Sequence, residues 1–226
     1  MNTRSIKVFV TSIAAFTATQ FSSSQSTAES ARLNQALDAY MRLPTPVERS
    51  RAEALEAEKR AAEVRALNTS SAHAVLLDRI GNASNGHDLA KYHDLLKNMM
   101  PNMKSEFFAR ANGESNPLSK RRFMRVTDAF WGQDAARFLV AQLDDKRSTE
   151  PNTQTDPRAV RVCDIALNVL DKNIGKELDI HVGFGTGGGD TIVRDVPIEK
   201  RDQWIATLKA ALIAKYGPDL NVPDKK

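Results

Sequence analysis

Helix-stopping residues recur along this chain at short intervals, and they constrain its fold more than any single composition figure. Pro44 and Pro46, Gly81-Asn82, Pro101, Asn112-Gly113, Gly132, Gly175 and Gly217-Pro218 each close a stretch whose apolar residues fall at helical spacing. Leu33, Leu37, Tyr40 and Met41 form one such face, and Leu89, Tyr92, Leu95, Leu96 and Met99 another. Phe107 and Phe108 lie in a short helix before Asn112-Gly113, and Asn116-Pro117 opens the next, with Val126, Ala129 and Phe130 inward. Ala135 to Leu143 carries Phe138, Leu139 and Leu143, and the last helix places Trp204, Ile205, Leu208, Leu212, Ile213 and Tyr216 on one side. The expected class is all-α. Seven short helices after residue 70 read as stacked antiparallel pairs, an α-solenoid or an irregular bundle.

Upstream of residue 70 the pattern differs. Residues 47–67 are rich in Ala, Glu and Arg, and Arg49/Glu53, Glu56/Arg60 and Lys59/Glu63 are paired one turn apart. Their few large apolar residues predict a helix that buries a narrow stripe and is too poor in Leu and Ile for a dimeric coiled coil. Thr45-Pro46 and Asp156-Pro157 both read as an N-cap followed by proline at the first helical position. Residues 29–70 are therefore expected to be a helical extension and 71–226 the main domain, with a polar linker from about Asp144 to Thr155.

One segment departs from the helical period. Between Glu177 and Val196, Leu178, Ile180, Val182 and Phe184 alternate with Asp179, His181 and Gly183. Four further glycines and the β-branched Thr191-Ile192-Val193 follow, which predicts a small β-hairpin or flap over 177–196.

The N-terminus carries an address. Arg4 and Lys7 precede an apolar run from Val8 to Ala18, and no acid occurs before Glu29. Ser26-Thr27-Ala28 offers the small residues a signal peptidase needs, so 1–28 is expected to be a cleaved signal peptide and the protein periplasmic or extracellular. Cleavage takes away Arg4 and Lys7, lowering the net charge from +4 to +2. No apolar stretch approaches the 18 residues of a bilayer-spanning helix. With a single cysteine, Cys163, an internal disulfide framework or multi-cysteine metal site is excluded. Its apolar neighbours predict a buried, inert thiol.

The run RVCDIALNVL, Arg161 to Leu170, with Asp156 before it and Gly175 after it, resembles the second helix of a HEAT-like repeat. Together with an irregular excursion and a final Trp-bearing helix, it is similar to the terminal repeat of exported bacterial HEAT-repeat proteins. The resemblance spans roughly residues 71–217 and is specific over 156–217. It implies a HEAT-like α-solenoid with a binding or scaffolding surface, and it carries over no catalytic residue.

Candidate chemistry is sparse. Gly183 to Asp190 lacks the Lys and the following helix of a phosphate loop, and Asp190 adds negative charge where a phosphate would sit. His87 and His93 are six residues apart, about 240° around a helix, so they do not share a face. His73, His87, His93 and His181 are expected to face solvent; no HExxH or GxSxG motif occurs. No cofactor or metal is expected. The strongest local charge feature is Lys120-Arg121-Arg122 with Arg125, near Phe123 and Trp131. It reads as a solvated helical face, or as a surface for phosphates, anionic headgroups or an acidic partner.

The reading these residues favour is a non-catalytic protein-binding or scaffolding module of the bacterial cell envelope, in peripheral contact with it at most and with no nucleic acid bound. Its candidate contacts are Lys120, Arg121, Arg122 and Arg125 on the basic face, and Phe184, Thr186 and Asp190 on the hairpin. Two alternatives stay open: an enzyme or small-ligand binder with a site in a helical cleft, and a nucleic-acid-binding helical repeat using residues 120–125.

Overall fold

A computed structural model of the chain describes residues 28–67, 69–97, 103–150, 156, 158–180 and 195–223. Nine helices occur among them: α1 (28–41), α2 (Arg51–Arg65), α3 (Ser70–Gly81), α4 (Gly86–Lys97), α5 (Lys104–Gly113), α6 (Pro117–Val126), α7 (Gln133–Ala141), α8 (Val162–Leu170) and α9 (Ile198–Tyr216). The described residues contain no strand, and Ser148 opposite Arg161 forms an isolated antiparallel bridge. The all-α expectation holds. No described helix is long and apolar enough to cross a membrane. The chain divides inside α3 into two compact units, one ending at Leu76 and one beginning at Leu77.

In the first unit, α1 buries Leu33, Leu37 and Tyr40, and α2 buries the narrow stripe Ala57, Ala61 and Val64. The helix start expected at Thr45-Pro46 lies five residues later. Both the amide and the hydroxyl of Thr45 donate to the Glu48 carboxylate, closing a local turn. Ser50 then caps α2, accepting from Glu53 N while the Glu53 carboxylate accepts from Ser50 N. That reciprocal box satisfies two orphan amides; at Thr45 the hydroxyl donates to Glu48 instead of accepting an amide, so the box does not form there.

In the second unit, α4 and α6 lie together, α8 packs on α6 and α7, and α9 reaches α8. Asn116 caps α6 as expected, its side-chain oxygen accepting from Leu118 N and Ser119 N, with Pro117 in the first turn. The centre is aromatic. Phe107, Phe123 and Phe130 have no exposed surface, and Phe108 and Phe138 flank them.

The α8 region differs from expectation at both ends. Asp156 accepts from Arg158 N and closes a turn, while α8 begins at Val162 with Arg161 as its cap. The described part of the expected polar linker, residues 144–150, forms a strap, and residues 151–155 lie outside the described residues. Thr149 N and its hydroxyl both donate to Val160 O, and the first amides of α8, Val162 N and Cys163 N, donate to Arg147 O and Asp145 O. The strap thus caps a helix start with backbone oxygens. At the far end α8 does not run to a glycine cap. It widens into a π turn at Asp171–Gly175, tightens to a 3-10 turn at Lys176–Leu178, and stops at Asp179, which is left-handed with φ 52°. Short polar side chains tolerate that conformation, and Asp supplies one. Of the expected hairpin, residues 181–194 lie outside the described residues, and the flanking Lys176–Leu178 is helical rather than extended.

Gly175 has a steric role there instead. A Cβ on it would sit 2.2 Å from Asp171 Oδ1, 3.1 Å from Asp171 Cγ and 3.2 Å from the Ile180 carbonyl oxygen. Gly175→Ala is expected to lose about 1–2 kcal/mol through that overpacking. Gly86→Ala, where a Cβ meets nothing within 4 Å, should gain roughly 0.5 kcal/mol by restricting the unfolded chain. Thermal midpoints of the two variants measure the contrast, and equal midpoints would dismiss it.

Candidate functional site

The most unusual chemistry of the second unit is a charge cluster where the strap, the start of α8 and the start of α9 meet. Asp164 stands at the third position of α8 among Val162, Cys163, Ile165, Ala166 and Leu167, all buried. An isolated carboxylate there would be prohibitively unfavourable. Two arginines neutralise it. Arg161 donates from Nε to Oδ2 at 3.1 Å and from Nη2 to Oδ1 at 2.9 Å, a two-pronged fork, and its backbone N donates to Oδ2 at 3.0 Å. Arg201 of α9 donates from Nη1 to Asp164 Oδ2 and to the Ala159 carbonyl, the latter at 3.1 Å. Asp164 and Arg201 have no exposed side-chain surface. Planar guanidinium groups suit such a site because they match carboxylate geometry and are weakly hydrated.

The cluster grades outward to water. Arg161 Nη1 lies 2.9 Å from Asp202 Oδ1, and Lys146 Nζ of the strap donates to Asp202 Oδ2 at 2.9 Å. Burial opposes the Arg161 cation, but hydrogen bonds and charge from Asp164, then Asp202, hold its pKa above the usual guanidinium value. For Asp202 burial is likewise outweighed, by Lys146 and Arg161, and its carboxyl is held below the usual range. Five charges, three positive and two negative, tie three segments together. Two further strap contacts extend the fastening: Lys209 of α9 pairs with Asp144 at 2.6 Å, and Asp145 pairs with Arg147 at 2.6 Å.

Cys163 is buried as expected, with its Sγ 3.8 Å from Asp164 Oδ1. Burial and then the Asp164 charge push its thiol up to about 12. The thiolate is then scarcer at pH 8 than in an ordinary cysteine. Iodoacetamide should therefore leave the native protein unmodified over hours and label it fully in denaturant. Rapid native labelling would mean that the α8 start opens to solvent.

The sequence-derived basic run is not one solvated field. Lys120 is 8% exposed, with Nζ 4.0 Å from Asp145 Oδ2. Arg122 donates to the Gly81 carbonyl at 2.6 Å, closing the C-terminus of α3 together with Ser119 Oγ at 2.9 Å. Arg121 and Arg125 are half-buried, and burial holds Arg122 and Arg125 below the usual guanidinium value. Phe123 and Trp131 are turned into the core. Phe184, Thr186 and Asp190 lie outside the described residues.

Of the histidines expected at the surface, His87 is exposed, but His73 is 3% exposed and His93 is half-buried. Burial is the main cause that holds His93 below the ordinary imidazole value, with Lys97 adding to it and Asp128 opposing. His181 is outside the described residues. Among the described residues no group of three or more His, Cys, Asp or Glu is placed to hold a metal ion.

Asp164 as a charge centre and Arg201 as its partner were not singled out from the sequence. The available signal was an acid inside an otherwise apolar helical run, three residues after an arginine. Compared with family models, curated proteins and solved structures, the chain has no significant match.

Proposed function

We propose that the protein is a non-catalytic protein-binding or scaffolding module, exported after removal of residues 1–28 and acting in the bacterial cell envelope. In this reading its helices form a HEAT-like stack of antiparallel pairs, with a hairpin between α8 and α9. The observation that carries it is the closure of the charge cluster. The groups with the most distinctive chemistry, Asp164 and Arg201, are sealed from solvent and bonded to each other, and Asp164 is bonded to Arg161 as well. Such a node gives rigidity to a surface and offers no reacting atom to a substrate. The surface it holds includes the outer side of α9, where Ala206, Thr207, Ala210 and Ala214 are exposed and Ile213 is 55% exposed. Arg121 and the hairpin residues Phe184, Thr186 and Asp190 are the other proposed contacts.

The test is crosslinking in the protein's own cells, with the mature N-terminus read in the same mass-spectrometry run. A discrete envelope partner is expected, crosslinked to one of these surfaces and lost on Ile213→Asp or Arg121→Ala, together with Glu29 as the first residue. An intact Met1 would remove the export reading. Failure to capture any protein would remove the binding reading.

A further inference from the structure

Helix α2 of the first unit leaves two of its cations unengaged. It carries four acids, Glu53, Glu56, Glu58 and Glu63, and four bases, Arg51, Lys59, Arg60 and Arg65. Glu53 belongs to the cap, its carboxylate accepting from Ser50 N at 2.8 Å. Arg60 holds two acids, Glu56 at 2.7 Å and Glu63 at 3.0 Å, and Arg65 is bonded to Glu58. The sequence spacing of Lys59 and Glu63 therefore makes no pair, because the forked guanidinium of Arg60 reaches Glu56 and Glu63 together. Among the described residues, Arg51 and Lys59 have no hydrogen bond or ion pair.

Both cations lie on the side of α2 opposite its buried stripe. Arg51, Ala52, Leu55, Lys59 and Ala62 are all exposed, and helical spacing places them within about 60° of Leu55. Leu55 is 69% exposed, with Arg51 one turn before it and Lys59 one turn after it. The result is a basic–apolar–basic ridge whose charges stand about 12 Å apart along the axis. Charge decides what such a ridge accepts. Two copies are mismatched in either direction: parallel α2 helices bring Arg51 to Arg51 and Lys59 to Lys59, and antiparallel ones crossing at Leu55 bring Arg51 to Lys59. An anionic lipid surface is poorly matched too, since one leucine is a small apolar footprint and Glu58 is exposed at the edge. A helix with carboxylates at i and i+8 and an apolar residue at i+4 fits in both directions. The positive start of α2 further favours an acid beside Arg51.

We propose that this face of α2 is a docking site for an acidic amphipathic helix of a partner protein. Two carboxylates of that helix, eight residues apart, pair with Arg51 and Lys59, and the apolar residue between them covers Leu55. The site is separate from the α9 surface described above. It adds a partner chemistry to the protein-binding reading, on which its use in the cell rests. Because the ion pairs lie at the surface, binding weakens as salt rises.

The test places a photoreactive amino acid at Ala62 of the full chain in its own cells and maps the crosslinked peptide. The expected product is a segment of another protein with acids at i and i+8 around an apolar residue. A synthetic peptide of that segment should bind the full chain about tenfold more weakly when Arg51→Gln and Lys59→Gln are combined. Binding should return when Arg51→Glu and Lys59→Glu meet a peptide whose two acids are replaced by lysine. Leu55→Asp should abolish binding, since its carboxylate stands one turn from each cation and engages both within α2. None of these positions belongs to the buried stripe, and circular dichroism of each variant checks that α2 is intact. A crosslink to a second copy, a segment without the paired acids, or affinity unchanged by the double substitution overturns the proposal. So does binding to phosphatidylglycerol vesicles that the same substitution removes, which would assign the face to a membrane. No crosslink from Ala62 beside a partner found through Ile213 or Arg121 removes this face and leaves the protein-binding reading standing. A charge-matched partner at Ala62 with none at those surfaces does the reverse.

Discussion

Asp164→Ala is expected to destabilise the second unit by about 3–5 kcal/mol. The size follows from what the substitution leaves behind. Asp164 accepts from Arg161 N, Nε and Nη2 and from Arg201 Nη1, and Arg201 has no exposed surface. Removing the carboxylate strands a buried guanidinium and a nearly buried one beside the positive start of α8. Asp164→Asn should be nearly as harmful, since an amide keeps the shape and loses the charge. Both tryptophans, Trp131 and Trp204, lie beyond Leu77, so their fluorescence in urea follows this unit. With a slope near 2 kcal/mol per molar, the urea midpoint should fall by roughly 1.5–2.5 M. A fall below about 0.5 M would show that water enters the cluster and that the arginines are not stranded.

A second variant separates the cost of breaking the cluster from the worth of having it. Replacing the three residues together, Arg161→Met, Asp164→Leu and Arg201→Met, removes the charges and keeps the volume. The triple variant is expected to stand within about 2 kcal/mol of the parent, because desolvation of three buried charges consumes most of their mutual attraction. Asp202 and Lys146 keep each other as partners in that background. If the triple variant folds as well as the parent but loses the binding proposed above, the cluster orders a binding surface rather than stabilising the fold.

The positions of most helices were legible because each is written in local signals. Asn116-Pro117 before α6 and Gly81 and Gly113 at the ends of α3 and α5 are examples that need no tertiary information. Misreadings fell where a local signal had a competitor. Thr45-Pro46 and Asp156-Pro157 have the composition of helix starts, yet Glu48 and Arg158 N draw their oxygens and amides into turns. The end of α8 was hidden because a π turn has no composition of its own, and Gly175 serves close packing there rather than a positive φ. The charge cluster was half legible. Asp164 in an apolar run is a visible anomaly, but Arg201 lies 37 residues away and shares the helix face of Ile205, Leu208 and Leu212, where an arginine looks like a surface residue. Long-range pairing of that kind has no periodic trace. The same limit applies to Lys120 and Arg122, whose burial depends on Asp145 and on the end of α3.

Phe107→Ala is the second large effect, at about 3–5 kcal/mol. Phe107 has no exposed surface, and its ring centroid lies 5.2 Å from Phe108, 5.6 Å from Phe123 and 4.8 Å from Phe130. The geometry is edge-on or tilted throughout, the arrangement in which the positive rim of one ring meets the negative face of the next. Truncation removes the hub of that cluster, and its neighbours are themselves held: Phe123 under Arg110 at 5.6 Å, Phe108 against Phe138 at 5.9 Å. They cannot close the void without leaving those contacts, so the cavity persists and its cost adds to the lost transfer energy. For a unit of this size the thermal midpoint should fall by roughly 10–15 °C. Phe107→Leu fills most of the volume and should cost near 1–2 kcal/mol. The ratio between the two variants is the decisive quantity. If Leu is as damaging as Ala, the ring geometry itself stabilises the core; if both fall below about 1 kcal/mol, α5 is loosely packed and the aromatic centre is not where the unit derives its stability.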